Sequence, residues 1–175
     1  MLNVCINLAD LDLTNFITSN VSDMSHMFSN CRSLPLLDLN HFDTSKLSTV
    51  SYMFRYCTCP IVFTNKANPN LTSTNYMFYD YLGTNIDLTG VSIRKSTKNE
   101  YVIKAPNLVD LIAPSDITNN FQILAENLSI ESLMSIIDNL SYVAVNQELE
   151  IGPRNIAKLS NEQIAVAVNK NWTVC

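Results

Sequence analysis

Glycine is scarce, at three in 175 residues. So few cannot furnish a glycine-rich phosphate loop, or the tight two-residue hairpins that need positive φ in succession. Turns must rest on Asn, Asp, Pro and Ser instead. Charge is thin as well: 15% of residues are Asp, Glu, Lys or Arg, and the net charge is −5. The 11 Lys and Arg are scattered, which excludes the clustered basic face that binding nucleic acid requires. An acidic chain is also repelled by anionic bilayers. No apolar run approaches the length of a membrane span. Residues 1–20 lack a basic segment leading into an uninterrupted apolar one, so we expect a soluble chain with no membrane insertion and no secretion signal of its own. No C-x-x-C pair occurs, and Cys57-Thr-Cys59 is one residue too tight for the usual zinc spacing. The two histidines, His26 and His41, stand outside any Ser, Cys or carboxylate arrangement of a triad. We expect no enzyme, no cofactor and no metal.

What the chain has instead is a repeat. Sliding residues 1–21 onto 27–47 without a gap superposes Met1, Cys5, Leu8, Leu11, Asp12, Leu13, Phe16, Thr18 and Ser19 on identical residues. Val21, Met24, Met27-Phe28 and Cys31 return as Leu47, Val50, Met53-Phe54 and Cys57, then as Leu71, Thr74, Met77-Phe78 and Tyr81. A fixed period of this size marks a solenoid, in which each unit buries its apolar face only against its neighbours. Residues 1–20 read as a repeat lacking its first half, so an upstream domain or a partner subunit is expected to cover that end.

Within each repeat, apolar residues at Val21, Met24, Met27 and Phe28 predict about two turns of helix, and Thr18-Ser19-Asn20 offers N-cap oxygens. So short a helix is unstable alone and must be held by stacking. The period then switches to two. Leu11-Asp12-Leu13, Leu37-Asp38-Leu39, Ile61-Val62-Phe63, Ile86-Asp87-Leu88 and Leu108-Val109-Asp110-Leu111 read as short parallel strands. The expected fold is α/β, a right-handed leucine-rich-repeat-like solenoid. Its parallel strands form one curved sheet, with short helices on the other side.

Residues 91–105 break the pattern and predict an extended excursion holding the main local cluster of basic charge. Beyond them come a strand at Phe121–Ile123, a helix from Ile130 to Leu140 with Ser129 as N-cap, and a strand at Leu149–Ile151. A capping box, Ser160-Asn-Glu-Gln163, opens a helix over Asn161–Lys170, and Trp172–Val174 is a last strand. We divide the chain into repeats (1–90), an irregular excursion with one degenerate repeat (91–127) and a C-terminal helix-strand-helix-strand cap (128–175) continuous with the stack.

Val21-x-x-Met24-x-x-Met27-Phe28, Cys31, Leu34, Leu37-Asp38-Leu39 and Phe42-Asp43-Thr44-Ser45 resemble the BspA-like leucine-rich-repeat family of bacterial surface proteins. The match is specific over residues 1–60 and weaker over 61–90. Residues 130–140 and 159–172 resemble the ending common in such proteins from gut bacteria and their phages. That ending usually has Gly before Trp, where this chain has Asn171, the next-best residue for a left-handed helix cap. The resemblance implies recognition or adhesion at a bacterial surface, or a phage tail or virion protein that meets its host.

Candidate sites fall on two faces. Outward strand positions carry Asp12, Thr14, Asp38, Asn40, Thr64, Asp87 and Thr89, a surface for a host protein or glycan; the plainer reading is a solvated polar ladder. On the helix side, His26, Tyr52 and Tyr76 share one repeat position, beside Arg55, Tyr56, Tyr79 and Tyr81. They form either an aromatic partner contact or the flank of the core. Cys5, Cys31 and Cys57 share another position, and buried free thiols are preferred there over a disulfide or a metal site. The sequons Asn20-Val-Ser22 and Asn70-Leu-Thr72 carry meaning only in a eukaryotic secretory route. The expected function is non-enzymatic binding by a virion-surface or cell-surface protein through the strand face. The alternative is a structural subunit that docks to other subunits of its assembly.

Overall fold

A computed structural model describes residues 3–64, 74–91 and 102–175. Its strands are β1 (Leu37–Asp38), β2 (Ile61–Val62), β3 (Asn85–Asp87), β4 (Val102–Lys104), β5 (Asp110–Ile112), β6 (Phe121–Leu124), β7 (Gln147–Glu150) and β8 (Trp172–Val174). Three helices join them in the C-terminal half: α1 (Ile130–Asn139), α2 (Pro153–Ile156) and α3 (Asn161–Asn169). Of the sequence expectations, the Leu71 repeat position, the Asn70-Leu-Thr72 sequon and residues 92–101 of the excursion lie outside the described residues.

The strands form two four-stranded sheets, β1-β2-β3-β5 and β4-β6-β7-β8, and every pairing is parallel. In the first sheet Leu37 is in register with Ile61, Ile61 with Ile86 and Ile86 with Leu111. Leu37, Ile61, Ile86 and Leu111 are all buried, so residues at the same repeat position turn the same way. In the second sheet Ile103 pairs with Ile123, Phe121 with Leu149 and Leu149 with Val174. The end of the expected excursion therefore lies within this second sheet, as β4.

Among the described residues the expected repeat helices are absent, and the strands fall in two sheets instead of one. Residues 24–31 form three consecutive turns, in which Met27, Ser29 and Cys31 donate N–H groups to the carbonyls of Met24, His26 and Phe28. The intervening donors point to the next repeat: Met24 to Thr49, His26 to Ser51, Phe28 to Met53 and Asn30 to Arg55. Residues 50–57 and 74–81 repeat the same three turns. A bridge pairs Asp23 with Thr49, and another pairs Tyr79 with Lys104, so the turns and the second sheet share one column. His26, Asn30, Tyr52, Tyr56, Tyr76 and Asp80 have φ between 52° and 62°, which a right-handed helix cannot accommodate. The helical reading failed because spacings of three and four residues arise equally from overlapping four-residue turns, each closed by a bond between residues three apart. The neighbouring repeat supplies carbonyls that a lone segment lacks, and a helix this short has too few bonds of its own to compete.

One continuous core lies inside these columns. Phe28 stacks on Phe54 at 6.1 Å and Phe54 on Phe78 at 5.2 Å, while Leu39, Phe63, Leu88 and Ala113 fill the strand side. Each large apolar side chain so buried contributes roughly 1.5–3 kcal/mol. Met53 and Met77 are buried and Met27 is partly buried, each donating its N–H in the first of the three turns.

After β5 the stack changes material. α1 takes the place of a fifth strand, and its Ser132 and Ser135 hydroxyls accept the N–H groups of Leu111 (2.8 Å) and Ala113 (3.0 Å). Ser129 caps α1 and the Ser160–Gln163 capping box opens α3, both as the sequence predicts. Asn171 follows α3 at φ 67°, and Trp172 is buried with its indole N–H on the Ser141 carbonyl at 2.9 Å.

Candidate functional site

Asp38 and Asp87 end strands β1 and β3, whereas Leu11-Asp12-Leu13, expected as a strand, pairs with no neighbour among the described residues and forms none. Asp12 Oδ1 accepts the Thr14 N–H (2.9 Å) and hydroxyl (2.6 Å), and Asp87 does the same with Thr89 (2.9 and 2.6 Å). Asp38 accepts the Asn40 N–H at 3.0 Å, and Asn40 in turn accepts from the backbone and hydroxyl of Thr64. These are Asx turns, in which a short acidic side chain satisfies the backbone two residues on. The Thr14 hydroxyl and N–H hold the Asp12 carboxyl below its ordinary range, and Ser25 does likewise for Asp23. The seven strand-face residues thus lie along one edge, with much of their hydrogen-bonding capacity already used. Among the described residues no three of His, Cys, Asp and Glu lie together as a metal site would need.

An opening lies on that side. Leu11–Leu13 make no backbone hydrogen bond to Leu36–Asp38 among the described residues, although the later repeats pair there. His41 Nε2 instead meets the Leu13 carbonyl at 2.7 Å, and a cleft of about 250 Å³ lies between Leu11, Asp12, Leu13, Leu37, Asp38 and His41.

The turn column gathers a denser constellation. His26 stacks on Tyr52 with ring centres 4.9 Å apart and planes 6° from parallel, and Tyr52 stacks on Tyr76 at 5.0 Å and 20°. Tyr79 sets its edge against both Tyr52 and Tyr76. Arg55 sits among them, 4.6 Å from the Tyr56 ring, 5.6 Å from Tyr79 and 5.7 Å from Tyr52, and donates through Nη2 to the Tyr56 hydroxyl at 3.0 Å. Six of the seven residues expected on this side therefore meet, each half-buried.

Two further cations join them. Arg32 lies 5.6 Å from the Tyr56 ring, and Lys104 lies 4.7 Å from Tyr79 while pairing with Asp80 at 2.7 Å. The Asp80 hydrogen bond, above all, raises the Lys104 ammonium above its ordinary range. Sequence reasoning missed Lys104, yet it stands one repeat interval beyond Tyr79, in the excursion where no repeat was recognised. Tyr81 does not belong to this face. It is buried, its hydroxyl reaching the carbonyls of Cys59 (2.7 Å) and Asn85 (2.8 Å), and burial above all raises its phenol.

The backbone beneath the stack is informative. His26, Tyr52, Tyr56 and Tyr76 all have positive φ, where a side chain other than Gly, Asn or Asp costs about 1–2 kcal/mol. An aromatic pair returns about 0.5–1.5 kcal/mol. Stacking alone does not clearly repay the strain, and Asn would sit at these positions more cheaply.

The buried thiols are packing elements. No disulfide joins the five cysteines, all of them among the described residues; Cys31 and Cys57 are buried one repeat apart, and Cys57 Sγ reaches the Phe28 carbonyl at 2.9 Å. Burial above all pushes the Cys31 thiol up to about 11.

No curated protein and no solved structure matches the chain significantly. Residues 1–110, the span that holds the turn ladder, match the family model described as "Mycoplasma protein of unknown function, DUF285", and the chain belongs to that family.

Proposed function

We propose that this chain is a non-enzymatic recognition module of a virion or bacterial surface protein, built as a right-handed, leucine-rich-type solenoid of the BspA-like kind. It binds a host protein or glycan through the turn column carrying His26, Tyr52, Arg55, Tyr56, Tyr76 and Tyr79. The observation that carries this reading is the use of strained aromatic residues where a cheaper residue would keep the fold. The strand face, the natural surface by sequence, supports the reading less, because its carboxylates are engaged in their own turns. The cleft beside Asp12, Asp38 and His41 is what favours it as a second contact. A structural subunit that docks to partner subunits without a receptor remains the alternative class.

Binding of the labelled chain to host cells tests the proposal. Tyr52→Asn keeps a residue that tolerates positive φ but removes the ring, and is expected to abolish binding; Asp12→Ala with Asp38→Ala and Asp87→Ala is expected to leave it intact. Wild-type binding by Tyr52→Asn sinks the turn-column reading. Loss confined to the Asp variant transfers the function to the strand face.

A further inference from the structure

We propose that the turn column takes an anionic polysaccharide, a chain of carboxylated pyranose units, with one carboxylate seated beside the guanidinium groups of Arg32 and Arg55. This rests on the reading of the column as a recognition surface and names its ligand. Both guanidiniums address the Tyr56 ring, at 5.6 and 4.6 Å, and neither has a carboxylate partner among the described residues. Two like charges sharing one ring repel each other, in a chain whose net charge is −5. Arg55 Nε is also buried without a hydrogen-bond partner, so the group's desolvation is only partly offset by ring contacts. A carboxylate at this place relieves the repulsion and suits the planar guanidinium fork.

The spacing selects a sugar over an acidic peptide. Rings along the column step by 4.9 and 5.0 Å, close to the length of one pyranose in an extended polysaccharide. An extended peptide presents same-side residues two apart, at about 6.6 Å, and falls out of step by the second contact. Stacked on one another, the half-buried rings present their edges and polar tips, which suit a ligand that offers a hydroxyl at each step.

Calorimetric titration of the full chain with oligogalacturonate tests this, with a neutral malto-oligosaccharide and oligoglutamate as comparisons. Oligogalacturonate is expected to bind and to weaken with added salt. Arg32→Gln and Arg55→Gln should each weaken it about tenfold or more, the loss of a charge-assisted contact. The neutral sugar should give no binding. Arg32 is exposed, so Arg32→Gln decides the matter if Arg55→Gln fails to fold by circular dichroism. No binding of oligogalacturonate, unchanged affinity in Arg32→Gln, or equal affinity for oligoglutamate overturns the proposal. If oligogalacturonate fails while Tyr52→Asn still abolishes cell binding, only the ligand class is lost. If cell binding ignores Tyr52→Asn, the recognition surface falls with it.

Discussion

The Ser132 hydroxyl accepts the backbone N–H of Leu111 at 2.8 Å, standing in for the carbonyl that another parallel strand would have supplied. A helix can end a sheet in this way only if a short polar side chain faces each outward donor. Ser135 does the same for Ala113 two strand positions on. Ser132→Ala leaves a buried donor unsatisfied and is expected to cost about 1–3 kcal/mol. The check is a urea unfolding midpoint that falls with its slope unchanged. A shift within the scatter of repeated wild-type measurements refutes the capping role.

Asn171, at φ 67° after α3, separates backbone strain from packing. Asn171→Val is expected to destabilise by about 1–2 kcal/mol, because a β-branched side chain is poorly tolerated in the left-handed region. Asn171→Gly removes the strain and an exposed bond to the Val143 carbonyl together, and should stay within about 0.5 kcal/mol of wild type. Thermal melts of both variants read the difference. Equal losses in the two place the cost in that side-chain bond.

Thiol reactivity should follow burial. Alkylation of the folded protein at mildly alkaline pH, followed by mass spectrometry, is expected to label the exposed Cys175 first and leave Cys31 and Cys57 unmodified until the chain unfolds. Labelling of Cys31 in step with Cys175 contradicts a thiol held at about 11 inside the stack.

Acid should undo the Asx turns in a defined window. The folded-state pKa values of Asp12 and Asp23 lie below the ordinary 3.8, so their contribution to stability is complete above that value. It is lost as pH falls through the lowered folded values. The difference in melting temperature between wild type and Asp12→Ala is therefore expected to be constant at neutral pH and to narrow below about pH 4. A difference that persists undiminished at the acid limit assigns the effect to something other than the carboxylate.

Residues whose partners are local in sequence gave themselves away. The Ser129 cap, the Ser160–Gln163 box and the left-handed Asn171 rest on contacts a few residues long, and all three are present. The strand positions at Leu37, Ile61, Ile86 and Leu111 were legible because a two-residue alternation and a fixed repeat both mark them. The turns at 24–31 were not, because the donors of Met24, His26, Phe28 and Asn30 find acceptors in the next repeat. No local pattern records a bond made that far along the chain. The same distance explains the site. His26, Tyr52 and Tyr76 could be aligned by counting, whereas Lys104 reaches Tyr79 from a segment whose repeat character had faded.

With no ladder between Leu11–Leu13 and Leu36–Asp38 among the described residues, the bonds that tie the first repeat to the second include the Val4 N–H on the Ser29 carbonyl, His41 on the Leu13 carbonyl and the Asp43 N–H on the Thr18 hydroxyl. Leu13 anchors this segment in the core, but its backbone has fewer ties than the strands that follow. Amide protons near Leu11 should trade with solvent well before those of Leu37 and Leu39, whose N–H groups are tied to Pro60 and Val62.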